Sequence, residues 1–145
     1  MAGFLKIQLL KEGAVIPVRK TSYSAGMDLF SSCDVTLPPH KTTAISTGLA
    51  IQLPSEHYGR IAERSSFCIE NQLVLRGGVI DEDYRGEVKV LMLNLASDPY
   101  LIRQGEKIAQ LICERTCYPR VFLTQKLAES CRGSNGFGSS NKEKK

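Results

Sequence analysis

No stretch of this 145-residue sequence is apolar for long enough to cross a bilayer, so no membrane role is indicated. Histidine is nearly absent, with only His40 and His57, and no Gly-x-Ser-x-Gly elbow accompanies them, which excludes the usual covalent acyl chemistry. Neither Gly-x-x-x-x-Gly-Lys-Ser/Thr nor Gly-x-Gly-x-x-Gly occurs, so the chain is neither a P-loop nor a dinucleotide-binding protein. The five cysteines are odd in number and contain no Cys-x-x-Cys, so reduced thiols are expected rather than a disulfide framework. Cys113 and Cys117 alone fall short of the four ligands of a zinc site. The start, Met1-Ala2-Gly3-Phe4-Leu5-Lys6, lacks a basic region followed by an apolar stretch, and a cytoplasmic or nuclear location is the expectation. A net charge of +4, scattered except for Lys142, Lys144 and Lys145, demands no nucleic acid and suits a small anionic ligand.

What is present is a globular composition, 42% hydrophobic and 23% charged, at a length that suits one domain with a real core. Helical periodicity is nearly absent. Short β-rich segments at 4–10, 34–37, 42–46, 49–53, 58–64, 73–75, 79–81, 87–95, 107–115 and 120–124 alternate with Gly and Pro turns, which predicts an all-β sandwich or barrel of meander or jelly-roll type. One short helix is expected over 65–70, capped by Ser65. Leu91-Met92-Leu93 and Leu111-Ile112-Cys113 are apolar on consecutive residues, so both faces of those strands need cover, and a second subunit is one source of it. After Ser130 the composition turns to Gly, Ser and Asn and then lysine, predicting a domain over 1–130 and a mobile tail over 131–145.

Three places carry residues suited to chemistry on a phosphate ester. Asp81-Glu82-Asp83-Tyr84-Arg85-Gly86 reads as a hairpin turn after an apolar strand. Alone it fits a solvated loop; the functional reading is that Asp81, beside buried Val79 and Ile80, is partly desolvated and takes a proton from water. Arg60 and Arg64 lie four apart on one side of a strand, and Arg64-Ser65-Ser66 offers a guanidinium, two hydroxyls and amide groups to phosphate oxygens, or else an ordinary capped turn. In the tail, Phe137 between two glycines and Arg132 upstream suit a lid that stacks on a planar group and holds an anion.

In order and spacing these segments resemble the five motifs of the trimeric deoxyuridine triphosphate nucleotidohydrolases, the dUTPases. Ala25-Gly26-Met27-Asp28-Leu29 is similar to the first and Gly59 to Ser66 to the second. Gly78 to Gly86 is similar to the third, Gly105 to Ile112 to the fourth and Arg132 to Ser139 to the fifth. The resemblance implies a jelly-roll-like β barrel, a homotrimer with shared active sites, and magnesium-dependent hydrolysis of dUTP to dUMP and pyrophosphate. By the same resemblance Asp81 orients and deprotonates the water and meets the 3′-hydroxyl, and Tyr84 packs against the deoxyribose and refuses a 2′-hydroxyl. The backbone of Gly78, Val79 and Ile80, with that near Lys89, reads uracil. Arg64, Ser65, Ser66 and Gln110 hold phosphates, and Asp28 holds Mg2+ through its water shell. Arg132, Phe137, Gly138 and Ser139 form the lid.

The second motif departs from the family pattern, with Glu63 in place of proline and Ser66 in place of glycine, and Asn135 replaces a glycine in the fifth. Strand alternation turns Glu63 away from the phosphates. The alternative these departures favour is a dUTPase-like binding or signalling module with reduced or lost catalysis.

Overall fold

The computed structural model describes residues 3–64 and 72–135. Among the described residues its elements are strands alone: β1 (Lys6–Leu9), β2 (Met27–Phe30), β3 (Val35–Leu37), β4 (Thr42–Gln52), β5 (His57–Ala62), β6 (Leu73–Arg76), β7 (Val79–Ile80), β8 (Val88–Asn94), β9 (Tyr100–Ile102) and β10 (Lys107–Arg115). They form one sheet in the order β1-β4-β8-β6, a second in the order β2-β10-β5-β7, and the pair β3-β9, all antiparallel. This is the all-β, jelly-roll-like class expected. Among the described residues no helix is long and apolar enough to cross a membrane. The helix expected over 65–70 lies outside the described residues.

The core follows from alternation. In β8, Val88, Val90, Met92 and Asn94 are buried while Lys89 and Leu91 are exposed, the period of two that a half-covered strand requires. These side chains meet Ile45, Leu49 and Ile51 of β4 and Leu73 of β6. Leu29, Ile61, Ala109 and Leu111 come from the second sheet, and Leu37 and Ile102 from the β3-β9 pair. The apolar runs are covered on one face only: Met92 and Leu111 are buried, whereas Leu91 is exposed and Leu93, Ile112 and Cys113 are half-buried.

Three strand expectations are corrected. Segments 42–46 and 49–53 are one strand, β4, carried through Gly48 by a register shift against β8 between Ser46 and Leu49. Residues 120–124 are not a strand: Val121, Phe122 and Leu123 are almost fully exposed, because β-branched and aromatic residues need an adjacent ladder and none is offered to them here. β2 and β9 were absent from the expectation because three or four residues carry too little periodicity. The last strand among the described residues ends at Arg115.

Asn94 closes the end of β8. Fully buried, it donates through Nδ2 to the carbonyls of Leu37 (3.0 Å) and Asp98 (2.8 Å) and accepts the Ala96 amide at 2.9 Å. It thereby ties β8 to β3 and shapes the turn into β9. Asn94→Ala strands these three backbone groups out of water and is expected to cost about 3 kcal/mol, read as a lowered urea midpoint.

Candidate active site

β6 and β8 pair as a hairpin, Arg76 opposite Leu91, but the connection between them is not a tight turn. Residues 77–87 leave this sheet and reach the other one, where Val79 and Ile80 pair with Arg60 and Gly59 of β5, and the Gly78 carbonyl accepts the Ile61 amide at 2.7 Å. Because β7 is the outer strand of that sheet, Val79 is 67% exposed and Ile80 half-buried. Asp81 is exposed as well, so the partial desolvation expected for it beside buried neighbours is not provided within this chain.

Past β7 the chain is held in shape by its own polar groups. The Tyr84 amide donates to the Asp81 carbonyl at 3.1 Å, and Arg85 donates to the carbonyls of Glu82 and Tyr84, both at 2.8 Å. The Glu82 carboxylate accepts the Glu56 amide (3.0 Å) and the Tyr118 hydroxyl (2.7 Å), anchoring the loop to the β4–β5 turn and to the chain beyond β10. That hydrogen bond pushes the Tyr118 phenol up to about 12, so it remains a protonated donor at neutral pH. The Tyr84 ring lies over Gly86, where a Cβ would stand 2.7 Å from Cζ of the ring, and its hydroxyl donates to the Glu87 carbonyl at 3.0 Å.

Val79, Ile80, Asp81, Tyr84, Glu87, Lys89 and Leu91 line a cavity of about 360 Å³. Five of these residues, Val79, Ile80, Asp81, Tyr84 and Lys89, are ones the sequence pointed to. It pairs a carboxylate and an ammonium with an aromatic ring and apolar walls, which suits a nucleoside-sized ligand. A larger depression of about 690 Å³, which shares Val79 and Asp81 with that cavity, is lined by Tyr58, Glu82, Asp83, Arg85, Thr116 and Tyr118 as well. Its rim carries three carboxylates, a poor match for an anion.

The phosphate candidates assemble elsewhere, on the outer face of the second sheet. Asp28 of β2 lies opposite Gln110 of β10, and Gln110 opposite Ala62 of β5, so Arg64, two residues on, reaches the same face. Arg64 Nε lies 3.1 Å from Asp28 Oδ1, and Lys107 Nζ 2.8 Å from Oδ2. Gln110 donates to the Glu63 carbonyl at 2.8 Å, steadying the chain from which Arg64 extends. Glu63 itself is exposed, so its replacement of proline leaves this cluster intact.

Lys107 was not anticipated. Plain alternation would set it on the face opposite Gln110, three residues on, but a β-bulge between Lys107 and Ala109 buries Ile108 and Ala109 together and turns both polar side chains outward. Two cations on one carboxylate leave a net positive patch. Arg60, by contrast, is not part of it: Arg60 bonds Glu114, which also takes the Tyr58 hydroxyl, and the Arg60 and Tyr58 hydrogen bonds hold the Glu114 carboxyl below its usual range.

As for metals, both Asp28 oxygens hold cations, and among the described residues no three His, Cys, Asp or Glu side chains gather. Asp28, with both oxygens taken, and the other described residues of one chain therefore form no ready-made divalent-ion site. None of Asp28, Arg64, Gln110 and Arg132 lines the cavity beside Asp81. Arg132 is exposed in a turn closed by the Asn135 amide on its carbonyl at 3.1 Å. Ser65, Ser66, Phe137, Gly138 and Ser139 lie outside the described residues.

Comparison with known proteins places this geometry in a family. A family model described as dUTPase matches residues 12–141. The mitochondrial deoxyuridine 5′-triphosphate nucleotidohydrolase of Homo sapiens is 43% identical over 138 residues, covering 95% of this chain and 55% of the relative, so the chain spans about half the length of that protein. The deoxyuridine 5′-triphosphate nucleotidohydrolase of Mus musculus is 42% identical, with 95% of this chain and 85% of the relative covered. That of Paramecium bursaria Chlorella virus 1 is 41% identical, with 93% and 96% covered. Among solved structures, a mutant dUTPase of Staphylococcus bacteriophage 80alpha with dUpNHpp superposes at a TM-score of 0.86 and 26% identity, covering 96% of this chain and 99% of that one. A mutant phage phi11 dUTPase, described with a structural Mg(II) ion, gives 0.83 at 25% identity, covering 88% and 100%. With a family model over nearly its whole length and relatives above 40% identity, the chain belongs to the dUTPase family.

Proposed function

We propose that the protein hydrolyses dUTP to dUMP and pyrophosphate. The observation that carries this reading is the placement of Asp81, Tyr84 and Lys89 around one nucleoside-sized cavity in a chain of this family. The curated relatives of this length are named as deoxyuridine 5′-triphosphate nucleotidohydrolases, and the phage neighbour binds dUpNHpp. Asp81 orients a water for attack on the α-phosphorus and takes its proton; it also meets the 3′-hydroxyl. The Tyr84 ring packs on the deoxyribose, and the backbone from Gly78 to Ile80, with that near Lys89, reads the uracil edge.

Phosphoryl transfer needs alignment and charge neutralisation more than a strong nucleophile. The patch of Arg64, Lys107 and Gln110, extended by Ser65 and Ser66, supplies it, with Asp28 holding the two cations in place. This patch does not line the cavity at Asp81, which supports a homotrimer in which each site draws on several subunits. The half-covered outer faces of Leu91, Leu93 and Ile112 are apolar surface for such a contact. Arg132, Phe137, Gly138 and Ser139 close over the triphosphate as a lid.

Magnesium arrives on the triphosphate as part of the substrate and neutralises its charge; Asp28 reaches its water shell only by giving up one of its two cations. Cys33, Cys113, Cys117 and Cys131 are free thiols, which fits a reducing compartment, the cytoplasm or nucleus; the human relative is named mitochondrial. The departures at Glu63 and Ser66 are the support for a non-catalytic module; Glu63 is exposed and outside the phosphate patch, which weakens that support, and Ser66 lies outside the described residues.

Three outcomes test this. Purified protein with magnesium releases pyrophosphate from dUTP and much less from dTTP, dCTP or UTP, and chelation by EDTA stops it; no turnover of dUTP above background would leave the binding-module reading. Asp81→Asn keeps substrate affinity while kcat falls on the order of 1,000-fold. Removal of residues 131–145 leaves a folded oligomer with turnover reduced about a hundredfold or more, whereas normal turnover would dismiss the lid.

A further inference from the structure

Glu87 is drawn into more polar contacts than any role so far requires. Its Oε1 accepts the Gly48 amide at 2.9 Å and the Ser46 hydroxyl, and it pairs with Lys11 Nζ at 2.9 Å; Oε2 lies 3.9 Å from Lys89 Nζ. Lys11 also donates to the Ser46 hydroxyl. Burial pushes the Glu87 carboxyl up, but the hydrogen bonds from Ser46, Lys11 and Gly48 outweigh this and hold it below the ordinary carboxylate range. The Gly48 amide is available because β4 slips its register against β8 here, with Gly48 at φ +69°. A Cβ on Gly48 would stand 2.8 Å from the Ala14 Cβ and 3.0 Å from the Lys11 Cγ, so the Lys11–Ala14 loop closes down on the bulge.

The same residue lines the nucleoside cavity. The Glu87 carbonyl accepts the Tyr84 hydroxyl at 3.0 Å. Tyr84 is 43% exposed, so packing alone holds its ring weakly, and that hydrogen bond decides where the ring stands. We infer that Glu87 is a positioning residue for sugar discrimination: its carboxylate fastens residue 87 to the β4 bulge, and its carbonyl sets the Tyr84 ring at the depth that excludes a 2′-hydroxyl. The inference rests on the proposed role of Tyr84 as sugar gate.

If the carboxylate only braced the fold, its loss would lower kcat/KM for dUTP and UTP alike and leave their ratio unchanged. If it positions the ring, the ratio itself moves, because a tyrosine free to swing readmits the ribose. The test measures kcat/KM for dUTP and for UTP, with thermal midpoints, in the full-length parent and in Glu87→Ala, Glu87→Gln, Lys11→Met and Tyr84→Ala. Glu87→Ala is expected to lower the dUTP to UTP preference about tenfold. Glu87→Gln keeps most of it, since its amide oxygen still accepts from Gly48 and Ser46, and Lys11→Met falls between the two. A preference within about twofold of the parent in both Glu87→Ala and Lys11→Met, while Tyr84→Ala relaxes it, overturns the role of Glu87 alone. If Tyr84→Ala leaves the preference intact, the sugar-gate reading fails and the inference falls with it. Should Glu87→Ala not fold, Lys11→Met decides.

Discussion

The two-residue pairing of β7 with β5 is the constraint on which the candidate site depends. β6 and β8 close a hairpin in one sheet, yet Val79 and Ile80 take their hydrogen-bond partners from the other. The chain between must therefore span both sheets, and it does so as an exposed loop rather than a buried strand. Asp81, Tyr84 and Lys89 come to one cavity because this excursion leaves β7 and returns into β8 along its wall. The polar bonds made by Glu82, Arg85 and the Tyr84 hydroxyl keep so exposed a loop in one shape. An unbraced loop of that exposure would sample many conformations, at a cost in orientation when substrate binds.

Charge on the second sheet is organised by a different device. Asp28 would be a poor neighbour for a triphosphate if it stood alone. Flanked by Arg64 and Lys107 it becomes the element that spaces two cations, and the patch remains positive. Both partners are partly exposed, so the pairs add little to folding stability and their value lies in orientation. The register slip in β10 and the one in β4 serve related ends: the first turns Lys107 and Gln110 to one face, and the second frees the Gly48 amide for Glu87.

Much was legible in the residues. The period of two in 87–95 and the turn residues between segments identify the strands that build the core. What was illegible has physical reasons. Residues 120–124 have strand-forming side chains but no ladder to join, and propensity does not report the partner. Val79 looks buried by composition and is exposed because its strand lies at a sheet edge, a position that local sequence does not encode. Lys107 was hidden because a bulge inverts the facing that a regular strand would give it.

By itself, the sequence determined the all-β class, the residue types and order of the motifs, and the membership of the chain in its family, since these rest on local periodicity and on patterns along the chain. Only the tertiary structure decided which side chains stand together. Asp81 and Lys89 line one cavity that Arg64 of the same chain does not line, and Asp28 is held by a lysine seventy-nine positions further on. Those choices follow from strand order, register and bulges, which are set by pairing between distant segments and leave no mark in any short stretch of sequence.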